Sequence, residues 1–121
     1  VQLHWVEQGS GPLVVLLHGF PEFWWSWRRQ IEPLSKHFRV VAVDMRGYNE
    51  SDKPDSGYSV ANLATDIRDL IDQLGEGEPA LLVGHDWGGL VAYQTAMDWP
   101  DRVTPSRCLD HQLVNQCGTT A

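Results

Sequence analysis

Basic residues are scarce in this sequence: nine Lys and Arg stand against sixteen Asp and Glu, a formal net charge of -7 at pH 7. No cluster of Lys or Arg offers a local exception. Phosphate backbones are therefore repelled, and nucleic acid is excluded as a partner. Long apolar runs are missing too. The longest strictly aliphatic stretch, Leu13 to Leu17, is far shorter than the roughly 20 residues a membrane-spanning helix needs. The chain begins at Val1, and no basic start leads into an apolar run and a small-residue cleavage site, so no signal peptide is expected. Cysteine is limited to Cys108 and Cys117, whose spacing matches no zinc or redox motif. The expectation is a reducing cytoplasm, with neither metal nor cofactor.

What is present is an ordinary globular composition. At 121 residues, 42% hydrophobic and 21% charged, the chain can bury one core, and one domain is expected. Leu3, Trp5 and Glu7 alternate as in a strand at a sheet edge, and Gly9, Gly11 and Pro12 then force a turn. Leu13 to Leu17 reads as a strand covered on both faces. Trp27, Ile31, Leu34 and Phe38 recur at helical spacing, with Arg28 and Arg29 facing away. Arg39 to Asp44 is a second buried strand. Leu63, Ile67, Leu70, Ile71 and Leu74 form an amphipathic stripe stopped by Gly75 and Gly77. Ala80 to Val83 is a third buried strand, and Leu90 to Met97 a further helix that closes near Trp99-Pro100. Strand and helix alternate, so the fold class is α/β: a mostly parallel sheet with helices on both faces. After Val103 the pattern changes. Thr104-Pro105-Ser106-Arg107-Cys108 carries a proline and no apolar run, so 104–121 is expected to be a non-native or disordered tail and not a further strand.

The chemistry concentrates in Gly84-His85-Asp86-Trp87-Gly88-Gly89, a glycine-flanked turn between a buried strand and a helix. Small residues must flank such a sharp bend, because side chains there would meet the neighbouring strand and helix. The bend lifts one side chain above the sheet, here a carboxylate where serine is the common nucleophile. Serine would form an acyl-enzyme with esters. A carboxylate instead attacks a saturated carbon and leaves an alkyl ester. Two companion motifs precede it, His18-Gly19-Phe20-Pro21-Glu22 and Asp44-Met45-Arg46-Gly47-Tyr48, each at the carboxyl end of an expected strand.

In that order, the three motifs resemble the epoxide hydrolase branch of the α/β-hydrolase superfamily, over about residues 1–103. The resemblance implies that Asp86 is the nucleophile, attacking the less hindered carbon of an epoxide. Water would then attack the resulting ester, and the backbone N–H groups of Phe20 and Trp87 would receive the oxyanion. It implies a cis bond between Phe20 and Pro21. It also implies an apolar wall that includes Trp24, Trp25 and Trp87, with Trp24, Trp25 and Pro21 binding a small uncharged epoxide and water as the co-substrate. His18, Gly19, His85, Gly84, Gly88 and Gly89 are expected to have structural roles at the site. Asp44, Arg46 and Tyr48 are expected to stabilise a nearby loop, and Trp5, Trp27 and Trp99 to pack in the core. The plain alternative for Asp86 is a helix N-cap.

The resemblance also implies a histidine that activates water, an acid that orients it, and tyrosine donors from a helical cap. Asp110 and His111 fit neither of the first two contexts. The chain is therefore expected to be the N-terminal half of such an enzyme, truncated after Val103 and not competent for turnover by itself. A haloalkane or haloacid dehalogenase with the same aspartate is the competing enzyme, with Trp87 as a halide donor. Glu22 stands where a halide-binding Asn would be, which favours epoxide opening. A non-catalytic truncated product is the reading from outside the enzymes. The oligomeric state is left open.

Overall fold

The computed structural model describes residues 1–108, the last four through their backbone. Five strands form one sheet in the order β1-β3-β2-β4-β5: β1 (Trp5–Gln8), β2 (Leu13–Leu17), β3 (Arg39–Val43), β4 (Ala80–Gly84) and β5 (Val103–Cys108). β1 pairs antiparallel with β3 at one edge, and the other pairings are parallel. The helices α1 (Arg28–Ser35), α2 (Val60–Leu74) and α3 (Trp87–Asp98) link the strands.

The sequence pattern explains the layers. β2 is buried along its whole length, as a central parallel strand covered on both faces must be. Its side chains alternate between two cores. Val14 and Leu16 pack with Val40, Ala42 and Ile31 of α1. Val15 and Leu17 pack with Val41, Val43 and the buried stripe Leu63, Ile67, Leu70 and Ile71 of α2, and with Val91 and Ala92 of α3. The α2 stripe anticipated from spacing is thus the face that is buried. Ser59 caps that helix, its side chain accepting the Asn62 N–H at 3.1 Å, which satisfies one of the orphan donors of the first turn. No helix of the described residues is long and apolar enough to cross a membrane.

One expectation is corrected. The chain after Val103 does not stop forming sheet: β5 continues to Cys108 along β4. Ala80 faces Val103 and Leu82 faces Cys108, so the register is irregular between them. An interrupted ladder tolerates a proline, because no regular donor is required there. The free edge of β4 supplies the pairing that a missing apolar run gave no reason to expect. The remainder of the anticipated tail, 109–121, lies outside the described residues, as do Asp110, His111 and Cys117.

Candidate active site

β2, β3 and β4 all point their carboxyl ends at one edge of the sheet, and the three motifs follow them there. At the end of β4 the His85 N–H donates to the Leu17 carbonyl oxygen at 3.1 Å, and α3 begins two residues later. Between them Asp86 is held at φ 57, ψ -121, a conformation that costs a non-glycine residue about 1–3 kcal/mol and persists only where its surroundings enforce it. They do so by close approach. A Cβ on Gly84 would stand 2.5 Å from the Gly88 carbonyl oxygen, and one on Gly88 would overlap the carbonyl oxygens of Leu17 and His18. Helix α3 therefore lies directly on the end of β2.

Asp86 occupies the N-cap position of α3, yet its side chain makes no capping bond. The carboxylate turns toward the 18–22 loop, where its Oδ2 accepts the Phe20 N–H at 3.1 Å. The Trp87 N–H first, and the Phe20 N–H second, hold the Asp86 carboxyl below the ordinary carboxylate range; His85 adds a smaller attraction against slight burial. The Phe20-Pro21 bond is cis. Glu22 closes this loop, its N–H donating to the Gly19 oxygen at 2.8 Å and its side chain accepting the Gly19 N–H at 3.1 Å. His85 stands 3.8 Å from the same carboxylate. A side chain at position 19 would press on Asp86, since its Cβ would come within 2.7 Å of the Asp86 Cβ.

His18 is fully buried and its ring is committed on both sides. Nδ1 donates to the Gly19 oxygen at 2.9 Å, and Nε2 accepts the Met45 N–H at 3.0 Å. The imidazole thereby ties the 18–22 loop to the end of β3. Burial pushes its pKa down, because a charged ring would lose its hydration and face the Met45 N–H with a second donor. The linkage has a definite sign. Against an unfolded value of about 6.5, the unfolded chain takes the proton first as the pH falls. The contribution of His18 is complete above that value, declines below it, and levels off beneath the folded-state pKa. Urea midpoints should accordingly drop between about pH 7 and pH 5, and His18→Asn should flatten that decline. A wild-type midpoint indifferent to pH over this window would refute the assignment.

Asp44, wholly buried, is the second hub. It accepts the Trp24 N–H at 2.8 Å, the Asn49 side-chain amide at 2.9 Å and His4 Nδ1 at 2.7 Å. It so joins the start of the chain, the 3-10 turn at Trp24–Trp27 and the loop after β3. Arg46 makes a two-pronged pair with Asp66 of α2, at 2.9 and 2.8 Å, and donates to the Gly57 oxygen at 2.9 Å. Both residues stabilise loops. Asn49, at φ 45, sits where left-handed backbone favours Gly or Asn.

Asp86 opens into a depression of about 870 Å³, lined by Phe20, Tyr48, Tyr58, Leu63, Trp87 and Leu90, with Arg46 and Gly47 at its side. Its apolar lining suits an uncharged molecule. Of the anticipated wall Trp87 lines it, but Trp24, Trp25 and Pro21 do not, and for these three the expectation is corrected. The 3-10 turn carries Trp24 down onto the α1 face, against Val14 and Leu16. Trp25 is 49% exposed and lies under the Arg28 guanidinium at 4.8 Å. Tyr58, Leu63 and Leu90 take their place. No motif marks these three; the long loop from β3 to α2, the first turn of α2 and the first turn of α3 deliver them. Tyr48 was anticipated near the site, and its ring stands edge-on to His18 at 4.7 Å.

The profile of the alpha/beta hydrolase fold family matches residues 12–104. "Epoxide hydrolase 1" of Caenorhabditis elegans is 49% identical over 112 residues, which are 89% of this chain and 28% of that protein. A soluble epoxide hydrolase of a Corynebacterium strain is 43% identical over 109 residues, 90% of this chain and 38% of its own length. Among solved structures, an epoxide hydrolase from an endophytic Streptomyces superposes with a TM-score of 0.81 at 46% identity, covering 84% of this chain and 31% of that one. One from Vigna radiata gives 0.80 at 45% identity, covering 84% and 32%. The chain spans about a third of the length of these relatives. With its parallel sheet, its strained Asp86 turn and these likenesses together, the chain belongs to the α/β-hydrolase family, on the branch that holds the epoxide hydrolases.

Proposed function

We propose that this chain supplies the nucleophile and the oxyanion site of an enzyme that hydrolyses epoxides to diols. The observation that carries the reading is the Asp86 carboxylate itself: held ionised, raised on a strained turn, and facing an apolar depression beside two backbone donors. Its free oxygen attacks the less hindered ring carbon. The carbon–oxygen bond breaks, the ring oxygen leaves as an alkoxide that takes up a proton, and an alkyl ester of Asp86 remains.

Water then adds to the carbonyl carbon of that ester. The negative charge develops on the carboxyl oxygen already directed at the Phe20 N–H, with the Trp87 N–H alongside. These donors need no rearrangement as the charge appears, which is the physical source of transition-state stabilisation in such sites. Collapse releases the diol and restores the carboxylate with one oxygen drawn from water.

The described residues do not supply a base for that water. His18 has both ring nitrogens engaged, His4 is bonded to Asp44, His85 stands against Glu22, and His37 precedes β3, at the opposite end of the parallel strands from Asp86. The base, the acid that orients it and the donor to the alkoxide belong to residues outside 1–108, and residues 1–103 form the N-terminal half of the hydrolase core. The first half-reaction is the step to test. Incubation with styrene oxide, acid quench and peptide mass spectrometry should find one added epoxide on the peptide holding Asp86. Labelling confined to other residues would defeat the proposal.

A further inference from the structure

Two phenols border the depression that holds Asp86, and their hydroxyls are used differently. Tyr58 donates to the Pro54 carbonyl oxygen at 2.5 Å. The Tyr48 hydroxyl has no hydrogen-bond partner among the described residues. Its ring is nonetheless well fixed. It meets His18 edge-on at 4.7 Å, its N–H donates to the Met45 oxygen at 2.9 Å, and its carbonyl accepts the Ser51 N–H at 3.0 Å. A phenol whose ring is anchored and whose hydroxyl is unspent, in an apolar depression, is a donor prepared for a ligand. Burial first, and the charge of Asp86 second, push its pKa up. The hydroxyl therefore keeps its proton and can donate it in a hydrogen bond.

Direction decides which ligand atom it meets. Displacement at a saturated carbon runs in line, so the ring oxygen departs on the side of that carbon away from Asp86. Tyr48 follows β3 and Asp86 follows β4, both at the carboxyl-terminal end of the same parallel sheet. Both groups line the same depression, so each meets a bound substrate from the sheet side. Tyr48 is badly placed for the departing oxygen and well placed for an atom of the substituent next to the ring.

We infer that Tyr48 is a specificity-determining residue that donates a hydrogen bond to an acceptor oxygen on the substituent beside the epoxide. The favoured substrates are then epoxides with an alkoxy arm, such as glycidyl ethers, over those whose arm is all carbon. This inference rests on the reading of Asp86 as the nucleophile.

The test compares phenyl glycidyl ether with phenethyl oxirane, in which a methylene replaces the ether oxygen, using the full-length protein and its Tyr48→Phe variant. The phenylalanine keeps the ring packing on His18. The wild-type protein should favour the ether in kcat/KM. That ether-to-carbon ratio should fall about five- to tenfold in Tyr48→Phe, the worth of one neutral hydrogen bond. Tyr93→Phe, on the exposed side of α3 and outside the depression, should leave the ratio where it was. An unchanged ratio in Tyr48→Phe overturns the inference, and so does an equal loss on both substrates, which marks a structural role. Should the wild-type protein open neither epoxide, the nucleophile reading fails, and calorimetric binding of the two corresponding diols decides Tyr48 separately. A preference for the ether diol that disappears in Tyr48→Phe supports the inference; equal wild-type affinities overturn it.

Discussion

Replacing Asp86 by alanine should abolish epoxide opening, with kcat/KM in the full-length protein lowered by about 10⁴-fold or more, the order found when a covalent nucleophile is removed. The substitution takes away the atom proposed to form the bond, while the Phe20 and Trp87 amides and the apolar lining stay in place. Residual binding therefore survives and residual chemistry does not. The mass adduct on the peptide around position 86 should vanish in the same variant. Stability should hardly change. Asp86 carries its strained backbone at φ 57, ψ -121, and alanine inherits that strain, so no relief of it is expected. The carboxylate, however, is exposed, and its loss removes only solvent-screened contacts with two amides. Activity that persists in a folded Asp86→Ala protein would show that another group attacks the substrate. A loss of activity accompanied by unfolding would be read through the peptide adduct in the wild type.

The second large effect is on folding. Gly88→Ala should destabilise the protein by about 3 kcal/mol or more, at or above the upper end of what single substitutions usually cost. Alanine is the better helix former by about 1 kcal/mol, so propensity alone argues for a gain. Sterics decide otherwise. The added methyl would overlap the Leu17 and His18 carbonyl oxygens, which belong to the end of the central strand and the loop that follows it. Leu17 is fully buried and paired with both β3 and β4, so it has nowhere to retreat. The alternative is for α3 to lift off β2, which would open the contacts of Val91 and Ala92 with the core. Urea denaturation should show the midpoint falling by about 1–3 M. Gly77→Ala provides the contrast. That residue has φ +86 and nothing within 4 Å of an added Cβ, so only backbone strain of about 1 kcal/mol is at stake. Equal midpoints for Gly88→Ala and wild type would mean that the close contact does not hold the turn.

These two residues illustrate what was legible beforehand. The run Gly84-His85-Asp86-Trp87-Gly88-Gly89 announces a strand-to-helix bend because glycine is demanded there by contact, and contact of that kind leaves a readable trace in residue type. The α2 stripe was equally readable, since its 3.6-residue period is the packing surface itself. Trp24 and Trp25 were not. An aromatic next to a site motif has no sequence signal for the direction in which it points, and a single 3-10 turn sent one indole into the α1-side core and the other toward solvent. β5 escaped notice for another reason. Its pairing depends on the edge that β4 offers, a property of a different segment and not of Thr104-Pro105-Ser106.

The order of elements as far as α3, the parallel sheet and the sharp bend that presents Asp86 were legible in the sequence alone, because each follows from periodicity or from local chain geometry. Which side chains surround that carboxylate was decided by the tertiary structure. Tyr48, Tyr58, Leu63 and Leu90 come from separate segments and meet only when β3, α2 and α3 are docked. The electrostatic state of Asp86 is shared between the two levels: the neighbouring Trp87 amide favours its ionised form most, and the Phe20 amide, 66 residues away in the chain, adds to it only in the folded protein. Local interactions leave a pattern within a window of residues; a convergence of distant segments leaves none, since it exists only once the core has closed.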